Sequence, residues 1–456
     1  MAVSATTLHE RVNGEVLTAG SVGYDEARRL YSASSDRRPE VILRPQDVRD
    51  VVAAIEIARS ESVDLAIRCG GHNAAGLGSV DGGLVLDMRS MNNIDVAEDG
   101  STVRVGGGCS WSEVDAATYP RGGSVPSGVV SSTGVGGLTL GGGIGYLSRA
   151  YGLTIDSLLE ATVVLADGRV VITSDREQPD LFWAIRGGGG NFGVVTDFTF
   201  LMRPVTDIIG GPTFWEIGRA AEILHWYQDL LQDLDERLNG FYAAMRVPPG
   251  PPFPESLWGE HVAGAVWCFT GAPEDADQVL APIRETEPIM DGIQPMPLPA
   301  LNSAFNELYP PGLYWYWKAD FVDQMSEEVI AQHVRFGSDI PTAFSTMHLY
   351  PINGAVHRVD AEATAFAHRN STWAEVMVGV DPDPDTFEHA KGWAQRYWEA
   401  TRPDEAAGGY VNFMMEEGQD RIQATYGPNY QRLSQIKAEY DPQNVFHVNQ
   451  NIPPAR

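Results

Sequence analysis

The stretch Leu65-Ala66-Ile67-Arg68-Cys69-Gly70-Gly71-His72-Asn73 places a histidine among glycines directly after a predicted strand. Glycine has no Cβ, so its backbone amides can come close to a ligand and its φ can be positive. A second glycine field follows at residues 134–145, with the sequence Gly-Val-Gly-Gly-Leu-Thr-Leu-Gly-Gly-Gly-Ile-Gly. Together the two fields predict a wide backbone cradle for an extended cofactor, with His72 at its lip.

The composition is typical of a soluble globular protein with an acidic surface. The chain has 456 residues, of which 43% are hydrophobic, and 61 acidic against 32 basic side chains give a formal net charge of −29. No apolar run approaches the roughly 20 residues of a membrane-spanning helix. An acidic surface also repels phosphate backbones and anionic lipids. We therefore expect a small-molecule substrate and neither a nucleic-acid nor a membrane partner, in a monomer or a homodimer.

The cysteines and the N-terminus bear on the compartment. Cys69, Cys109 and Cys268 are widely spaced and form no CxxC pair, so they predict neither a disulfide framework nor a zinc site. The N-terminal segment, residues 1–9, has no basic region followed by an apolar core, as an export signal would. These features predict a cytoplasmic protein without a bound metal.

The composition and the predicted secondary structure change twice along the chain. Residues from about 41 to 205 are rich in strands and glycine, residues 206–425 hold most of the tryptophan and longer helical patterns, and the tail returns to a short helix. Hydrophobic periodicity and turn residues predict the individual elements. These are strands at 41–45, 65–68, 84–88, 94–96, 102–105 and 192–200, helices at 48–59, 181–186 and 430–440, and a hairpin over 161–172 with its turn at Asp167-Gly168.

One GxGxxG pattern requires a test against the dinucleotide-binding fingerprint. Gly188, Gly190 and Gly193 have the spacing, but Val194-Val-Thr-Asp-Phe-Thr-Phe follows as a strand pattern, where the fingerprint needs a helix. A nicotinamide-dependent dehydrogenase is therefore the alternative enzyme class. A flavin-bearing binding protein without turnover is an alternative of another kind.

Five segments in order resemble the berberine-bridge-enzyme-like oxidases of the vanillyl-alcohol oxidase superfamily, which carry a PCMH-type FAD-binding domain. They are residues 68–73, 125–156, 180–193, 410–413 and 440–451. The resemblance implies an α+β fold of two domains. Residues 1–205, completed by 426–456, would bind FAD, and residues 206–425 would form a substrate domain on an antiparallel sheet covered by helices. The implied activity removes a hydride from an alcohol, an amine or an activated C–H carbon, with oxygen as the expected electron acceptor.

The resemblance assigns the flavin contacts residue by residue. The histidine that bonds covalently to the flavin in the family corresponds to His72, and the cysteine of a second link corresponds to Val130, so we expect a single link. Thr133 falls at the family's oxygen-gating position, and its effect is left open. The other residues implied for the cofactor are Arg68, Gly70, Gly71, Asn73, Ser132, Gly134, Gly136, Gly137, Gly142, Gly143, Gly145, Val195, Asn449 and Asn451.

Within that set the expected roles differ. The first glycines and Asn73 would offer amides to the pyrophosphate as a nest, and the glycines at 142, 143 and 145 would let the ring system lie against backbone. Val195 would lie near the adenine, and the two tail asparagines would close over the isoalloxazine edge. For any single glycine the alternative is a turn requirement.

Candidates for the substrate chemistry lie after the glycine fields. Tyr410 and Asn412 match a family segment that faces the flavin. If the alternating stretch of residues 314–318 is a strand, Tyr316 and Lys318 share one face, and a lysine beside a tyrosine lowers the pKa of the phenol toward that of a usable base.

Two further residues complete the set. Tyr146 directly follows the second glycine field, and His348 ranks after it as a candidate base. The structural alternative for these aromatic residues is core packing.

Overall fold

A computed structural model describes residues 5–250, 253–402 and 408–456. Residues 1–4, which belong to the N-terminal segment interpreted above, lie outside the described residues. In chain order the strands are β1 (Glu15–Leu17), β2 (Val41–Arg44), β3 (Leu65–Arg68), β4 (Leu84–Asp87), β5 (Ile94–Val96), β6 (Thr102–Gly106), β7 (Leu158–Val164), β8 (Val170–Ser174), β9 (Val194–Leu201), β10 (Asp207–Glu216), β11 (Leu238–Arg246), β12 (His261–Phe269), β13 (Met290–Asp291), β14 (Gln294–Pro297), β15 (Tyr314–Val322), β16 (Thr346–Pro351) and β17 (Trp373–Asp381).

Helices connect and cover these strands. They are α1 (Ala5–Arg11), α2 (Tyr24–Ala27), α3 (Val48–Glu61), α4 (Trp111–Thr118), α5 (Val135–Leu140), α6 (Ser148–Tyr151), α7 (Pro179–Ile185), α8 (Ala220–Asp233), α9 (Ala276–Arg284), α10 (Leu298–Ser303), α11 (Glu327–Gly337), α12 (Pro384–Thr401), α13 (Gln419–Tyr426) and α14 (Tyr430–Tyr440). Among the described residues, none of these helices combines the length and the apolar character of a membrane span.

The first sheet carries the loop of His72 at the end of one strand. Its strand order is β1-β2-β4-β3, with β4 parallel to both β2 and β3. The connection from β2 to β3 runs through α3, which begins where the Asp47 side chain accepts hydrogen bonds from the amides of Arg49 and Asp50. The predicted βαβ unit is confirmed, and it delivers residues 69–73 to one edge of the sheet.

The second sheet is antiparallel, with the order β5-β6-β9-β7-β8. The strands β7 and β8 form the predicted hairpin around Asp167-Gly168. The strand β9 follows directly after the glycine run at 187–190, so the GxGxxG pattern precedes a strand and not a helix. This arrangement agrees with the rejection of a dinucleotide-binding fingerprint.

The third sheet is the largest, and it lies in the second half of the chain. It is antiparallel, with the order β13-β10-β12-β11-β16-β17-β15, and β14 pairs with β10. One of its faces packs on α8, α11 and α12 in a core that includes Tyr227, Trp267, Phe336 and Trp393. The expected antiparallel sheet covered by helices is confirmed, within an α+β fold.

The C-terminal tail packs against the first part of the chain. Leu433 and Ile436 of α14, together with Ile452, belong to the same core as Phe198 and Phe200 of β9. The tail therefore adds side chains to the core beneath the glycine-rich loops. The functional division at residues 205 and 425 stays a prediction.

Candidate active site

A large cavity lies between the glycine-rich loops and the face of the third sheet that the helices do not cover. Its volume is about 1120 Å³, more than the roughly 300–1,000 Å³ that a small-molecule pocket usually has. One end is lined mainly by backbone and the other by side chains of the sheet. The volume accommodates an extended cofactor together with a small substrate.

The two glycine fields meet through their backbones. A Cβ on Gly70 would lie 2.5 Å from the amide nitrogen of Gly134, and a Cβ on Gly134 would lie 2.2 Å from the amide nitrogen of Gly70. Gly71 has φ +69°, a conformation that residues with side chains rarely adopt. Glycine is therefore required here for a close approach between two loops, and both loops line the cavity.

His72 lies on the cavity wall at the point where these loops end. Its ring stacks on Tyr31 with 3.8 Å between ring centroids and 19° between planes. The hydroxyl of Ser132 lies 3.2 Å from Nε2. Burial lowers the pKa of His72 to about 4, so the imidazole is neutral at pH 7 and keeps a free electron pair.

Arg68 is a buried cation held beside the cavity. Its Nη2 lies 2.7 Å from Oδ2 of Asp87, which also accepts a 2.6 Å hydrogen bond from Arg89. Burial alone would raise the pKa of Asp87, but the hydrogen bond from Arg89 and the two arginine charges hold it at about 2. The Nε of Arg68 has no partner among the described residues.

Most residues expected at the cofactor line this cavity. Those that do so are Arg68, Gly70, Gly71, His72, Asn73, Gly134, Gly136, Gly137, Val195 and Asn449. Asn449 donates from Nδ2 to the carbonyl of Gly190 at 3.1 Å, whereas its buried Oδ1 has no partner among the described residues. A buried amide oxygen and a buried guanidinium nitrogen without partners, beside backbone where a Cβ would not fit, suit a large polar cofactor such as FAD.

Three glycines expected at the flavin ring do not line the cavity. A Cβ on Gly142 would lie 2.9 Å from the Phe366 ring, one on Gly143 would lie 2.1 Å from Oγ1 of Thr154, and one on Gly145 would lie 1.8 Å from the Ser127 carbonyl. These glycines allow close packing between protein segments, and they do not line the cavity. Asn451 lies outside it as well, in a smaller recess beside Gln419.

Sequence reasoning missed one part of the cradle. Gly189, Gly190, Asn191 and Gly193 line the cavity opposite the first two glycine fields. The signal is the run of glycines at 187–190, which lies within one of the five segments that resemble the family.

The other end of the cavity is one face of the third sheet. Side chains alternate along each strand, and every second residue of β11, β15, β16 and β17 faces the cavity. These residues are Phe241, Ala243, Met245, Trp315, Trp317, Thr346, His348, Tyr350, Val376 and Val378. The cavity thus has an aromatic and aliphatic wall that sequence reasoning did not identify, apart from His348.

Tyr316 and Lys318 lie on the face of β15 that is turned away from the cavity, which corrects their expected place in the substrate chemistry. The Tyr316 hydroxyl accepts a hydrogen bond from Gln395 of α12 at 3.2 Å. The Nζ of Lys318 lies 2.7 Å from Glu417 and 4.5 Å from the centroid of the Trp398 ring. The two residues do share a face, as predicted, but that face packs on helices because Trp315 and Trp317 take the cavity side.

Tyr410 and Asn412 do come together at the cavity. The Tyr410 oxygen accepts hydrogen bonds from the amide of Gly143 at 3.0 Å and from Nδ2 of Asn412 at 2.8 Å. Burial raises the pKa of Tyr410 to about 12, against the lowering effect of these hydrogen bonds. The segment is a short 3-10 turn over Val411–Phe413.

Tyr146 does not reach the cavity. It is buried beside Phe241, with 5.8 Å between ring centroids, and its hydroxyl has no partner among the described residues. By contrast, Val130 and Thr133 both line the cavity near the His72 loop. The position expected for a second, cysteinyl link is therefore at the site, and it holds valine.

Comparison with known proteins agrees with this geometry. A family model described as an FAD binding domain matches residues 39–174, and one described as berberine and berberine like matches residues 409–453. An FAD-linked oxidoreductase of Dictyostelium discoideum is 32% identical over 98% of this chain and 96% of its own length. The (R)-6-hydroxynicotine oxidase of Paenarthrobacter nicotinovorans is 29% identical over 97% of each chain.

A solved structure carries the same fold. Glucooligosaccharide oxidase from Acremonium strictum, described with a 6-S-cysteinyl, 8α-N1-histidyl FAD, covers 99% of both chains with a TM-score of 0.85 and 24% identity.

Proposed function

The chain belongs to the berberine-bridge-enzyme-like FAD-linked oxidoreductases, and we propose that its substrate is an apolar, ring-containing molecule with a C–H bond beside a hydroxyl or amine group. The observation that carries this proposal is the wall of the cavity at the sheet end, where Phe241, Trp315, Trp317, Tyr350 and Phe413 present ring surface. Such surfaces bind aromatic molecules by stacking and by burial of apolar area.

Charge supports the same substrate class. Among the described residues, the formally charged side chains that line the cavity are Arg68, which Asp87 neutralises, and Glu307. Glu307 is exposed to solvent, so a charged group at the aromatic wall would lose its hydration without a buried ionic partner, which is costly. The substrate is therefore uncharged, or nearly so, when it binds.

FAD is the cofactor of this family, and we assign a single covalent link to His72. The neutral imidazole retains a nucleophilic nitrogen, and stacking on Tyr31 with the contact to Ser132 fixes the plane of the ring. Val130 replaces the residue that would form a second link. The cradle residues come from residues 1–205 and from the tail, which supports the division into an FAD-binding part and a substrate-binding part at 206–425.

Tyr410 is the residue proposed to accept the substrate proton. Bound FAD supplies the hydride acceptor. Hydrogen bonds from Gly143 and Asn412 converge on the phenol oxygen and favour the phenolate that a base needs, and they oppose the burial that raises the pKa of Tyr410 to about 12. Asn412 also donates to the carbonyl of Leu138 at 3.1 Å, which holds its amide toward Tyr410.

Two further assignments belong to the proposal. Oxygen is the proposed electron acceptor, and Thr133, at the gating position, lines the cavity. A cytoplasmic location is supported by Cys69, Cys109 and Cys268, which are all free thiols.

The link and the substrate class are tested on the purified, yellow holoprotein. We expect acid-precipitated wild-type protein to remain yellow and to fluoresce on a denaturing gel, with flavin on the His72 peptide alone. His72→Ala should retain FAD without a covalent bond because the glycine cradle remains. Free FAD in the wild-type supernatant, or flavin on a peptide of Cys69 or Cys109, would contradict the assignment.

The substrate class is measured separately, by anaerobic flavin reduction. Bicyclic benzylic alcohols, and bicyclic benzylic amines at a pH above the pKa of the amine, should bleach the flavin, whereas oligosaccharides should not. The opposite order of activity would contradict the substrate class and leave the cofactor assignment intact.

A further inference from the structure

His348 and Tyr350 form a polar pair on the aromatic wall of the cavity. Both project from β16 on the cavity face, and Nδ1 of His348 lies 2.6 Å from the Tyr350 hydroxyl oxygen. The His348 ring packs against Phe241 with 5.2 Å between centroids, and the Tyr350 ring lies 5.1 Å from the same ring. The two side chains are therefore held in one orientation by a shared aromatic neighbour.

The hydrogen bond within this pair decides where the imidazole carries its proton. The Tyr350 hydroxyl has no second partner among the described residues. If Nδ1–H donated to Tyr350, the buried phenol hydrogen would be left without an acceptor, which is costly. Donation from Tyr350 to Nδ1 avoids this cost, and it places the ring proton of His348 on Nε2, on the residue's cavity side, where a ligand or water can accept it.

The Nε2–H group has no hydrogen-bond partner among the described residues, and the residue lines the cavity. Its strand neighbours across the sheet are Ala243 and Val376, which offer no polar side chain. Burial lowers the pKa of His348 to about 3, so the imidazole is uncharged at neutral pH. A neutral N–H donor on an apolar wall suits an acceptor atom on an otherwise apolar ligand.

We propose that His348 is a specificity-determining residue whose Nε2–H donates a hydrogen bond to an uncharged acceptor atom on the substrate ring, with Tyr350 positioning that donor. This proposal rests on the proposed substrate class. A phenolic or carbonyl oxygen, or a ring nitrogen, supplies the required acceptor.

Phe413 places this donor relative to the proposed base. Its ring centroid lies 5.0 Å from that of Tyr410 and 5.8 Å from that of Tyr350. The proposed base and the His348–Tyr350 pair thus flank one aromatic ring. A substrate that packs on Phe413 can present its reacting carbon to Tyr410 and its acceptor atom to His348.

The test uses ligands of one shape that differ in a single acceptor atom. Naphthalene, quinoline and isoquinoline are titrated into the holoprotein, and the flavin difference spectrum reports binding. Naphthalene is more hydrophobic than the two nitrogen heterocycles, so absolute affinities do not isolate the hydrogen bond. The measured quantity is therefore the affinity of each heterocycle divided by that of naphthalene, and this ratio is compared between variants. Removing the donor should lower the larger of these two ratios about tenfold, the usual size of one hydrogen bond.

Four variants separate the donor from its surroundings. We expect the affinity ratio to fall in His348→Phe and to fall by a smaller factor in Tyr350→Phe. The ratio should be retained in His348→Gln, because the side-chain amide offers an N–H near the position of Nε2. Tyr309→Phe removes a different hydroxyl from the same cavity, and it should leave the ratio unchanged. If His348→Phe does not fold, the Tyr350→Phe and His348→Gln results still decide whether His348 donates this hydrogen bond.

The outcomes distinguish this inference from the function on which it rests. If the probes bind but the ratios are the same in all variants, His348 is a packing residue and the inference is overturned, while the substrate class stands. If no probe perturbs the flavin in any variant, the apolar-ring substrate class is wrong, and the inference is wrong with it.

Discussion

The two ends of the cavity are built from different parts of the polypeptide. At the glycine end, backbone meets backbone, and a Cβ on Gly134 would lie 2.2 Å from the nitrogen of Gly70. At the sheet end, the wall consists of side chains such as Trp315, Trp317 and His348 that alternate with residues buried under helices. A site built from backbone tolerates almost no substitution, whereas a site built from side chains can change its ligand without a change of fold.

The same contrast exists within a single strand. Trp317 faces the cavity, and the next residue, Lys318, pairs with Glu417 on the helix side. Adjacent residues of β15 thus belong to a ligand wall and to a structural core. Substitutions at the glycine end should therefore have the largest consequences, those on the cavity face smaller ones, and those on the helix face the smallest effect on the reaction.

Gly134→Ala should have the largest effect, because the new Cβ collides with the backbone of Gly70 and with the Cys69 sulfur, 2.6 Å away. We expect protein without FAD and a loss of at least about 1–3 kcal/mol in unfolding free energy. Absorbance at flavin wavelengths and urea denaturation measure both. Gly218→Ala, where nothing lies within 4 Å of the new Cβ, is the matched control. A yellow Gly134→Ala protein of wild-type stability would show that the glycine end of the cavity does tolerate substitution.

Tyr410→Phe should slow anaerobic flavin reduction by roughly a hundredfold, the usual contribution of a positioned base. The flavin spectrum and the fold should be unchanged, because Phe413 and Phe366 continue to pack on the ring. Tyr146→Phe is the control, since that hydroxyl is buried outside the cavity. Equal reduction rates in both variants would make Tyr410 a packing residue.

Glu375→Gln tests the helix face of the sheet through its pH dependence. Glu375 lies across from Asp320 in the register of β15 and β17, and its Oε1 accepts no hydrogen bond from the described residues. Burial, and then the Asp320 charge, raise the pKa of Glu375 from 4.5 to about 8. The protonated Glu375 carboxyl therefore stabilises the folded protein fully below pH 4.5, the pKa of a glutamate in the unfolded chain. This stabilisation is lost as the pH rises through about 8, the pKa of Glu375 in the folded protein.

In wild-type protein the unfolding free energy should therefore fall between pH 5 and pH 9, and the glutamine variant should lose about 2 kcal/mol less over that range. His333, 3.5 Å away, is neutral throughout because burial lowers its pKa to about 3. Urea denaturation at three pH values measures the difference. Parallel pH profiles for the two proteins would show that this carboxyl does not titrate in the window.

Lys318→Met should have the smallest effect on the reaction. We expect flavin reduction and its pH dependence to stay within about twofold of wild type, because the ammonium contacts Glu417 and Trp398 and not Tyr410. Stability should fall by about 1–3 kcal/mol, because Glu417 loses its contact with Lys318 but keeps Arg421 at 3.6 Å. Trp317→Leu, one residue away on the cavity face, should instead weaken substrate binding. A large change in the flavin reduction rate of Lys318→Met would show that the helix face of β15 also takes part in the reaction.

Local sequence was sufficient for much of the fold and for one end of the site. The βαβ unit, the hairpin at Asp167-Gly168 and α14 follow from periodicity and turn residues that act over a few positions. Gly70, Gly71, His72 and Gly134 could be assigned to the cradle because their motifs are contiguous. At Gly71 the requirement for glycine is local as well, because its φ is +69°. Gly70 and Gly134 need glycine for a different reason, the close approach of their two loops.

Tertiary structure alone decided which atoms each residue meets. The glycines at 142, 143 and 145 look like those of the cradle, but Phe366, Thr154 and Ser127 occupy the space that a ligand was expected to fill. A two-residue period shows that Tyr316 and Lys318 share a face, and aromatic residues stand on both faces of β15. Which face becomes the wall of the cavity depends on α12, whose Gln395 and Trp398 lie some eighty residues further along the chain. Contacts between segments so distant in sequence arise from packing of the whole chain, and no local pattern encodes them.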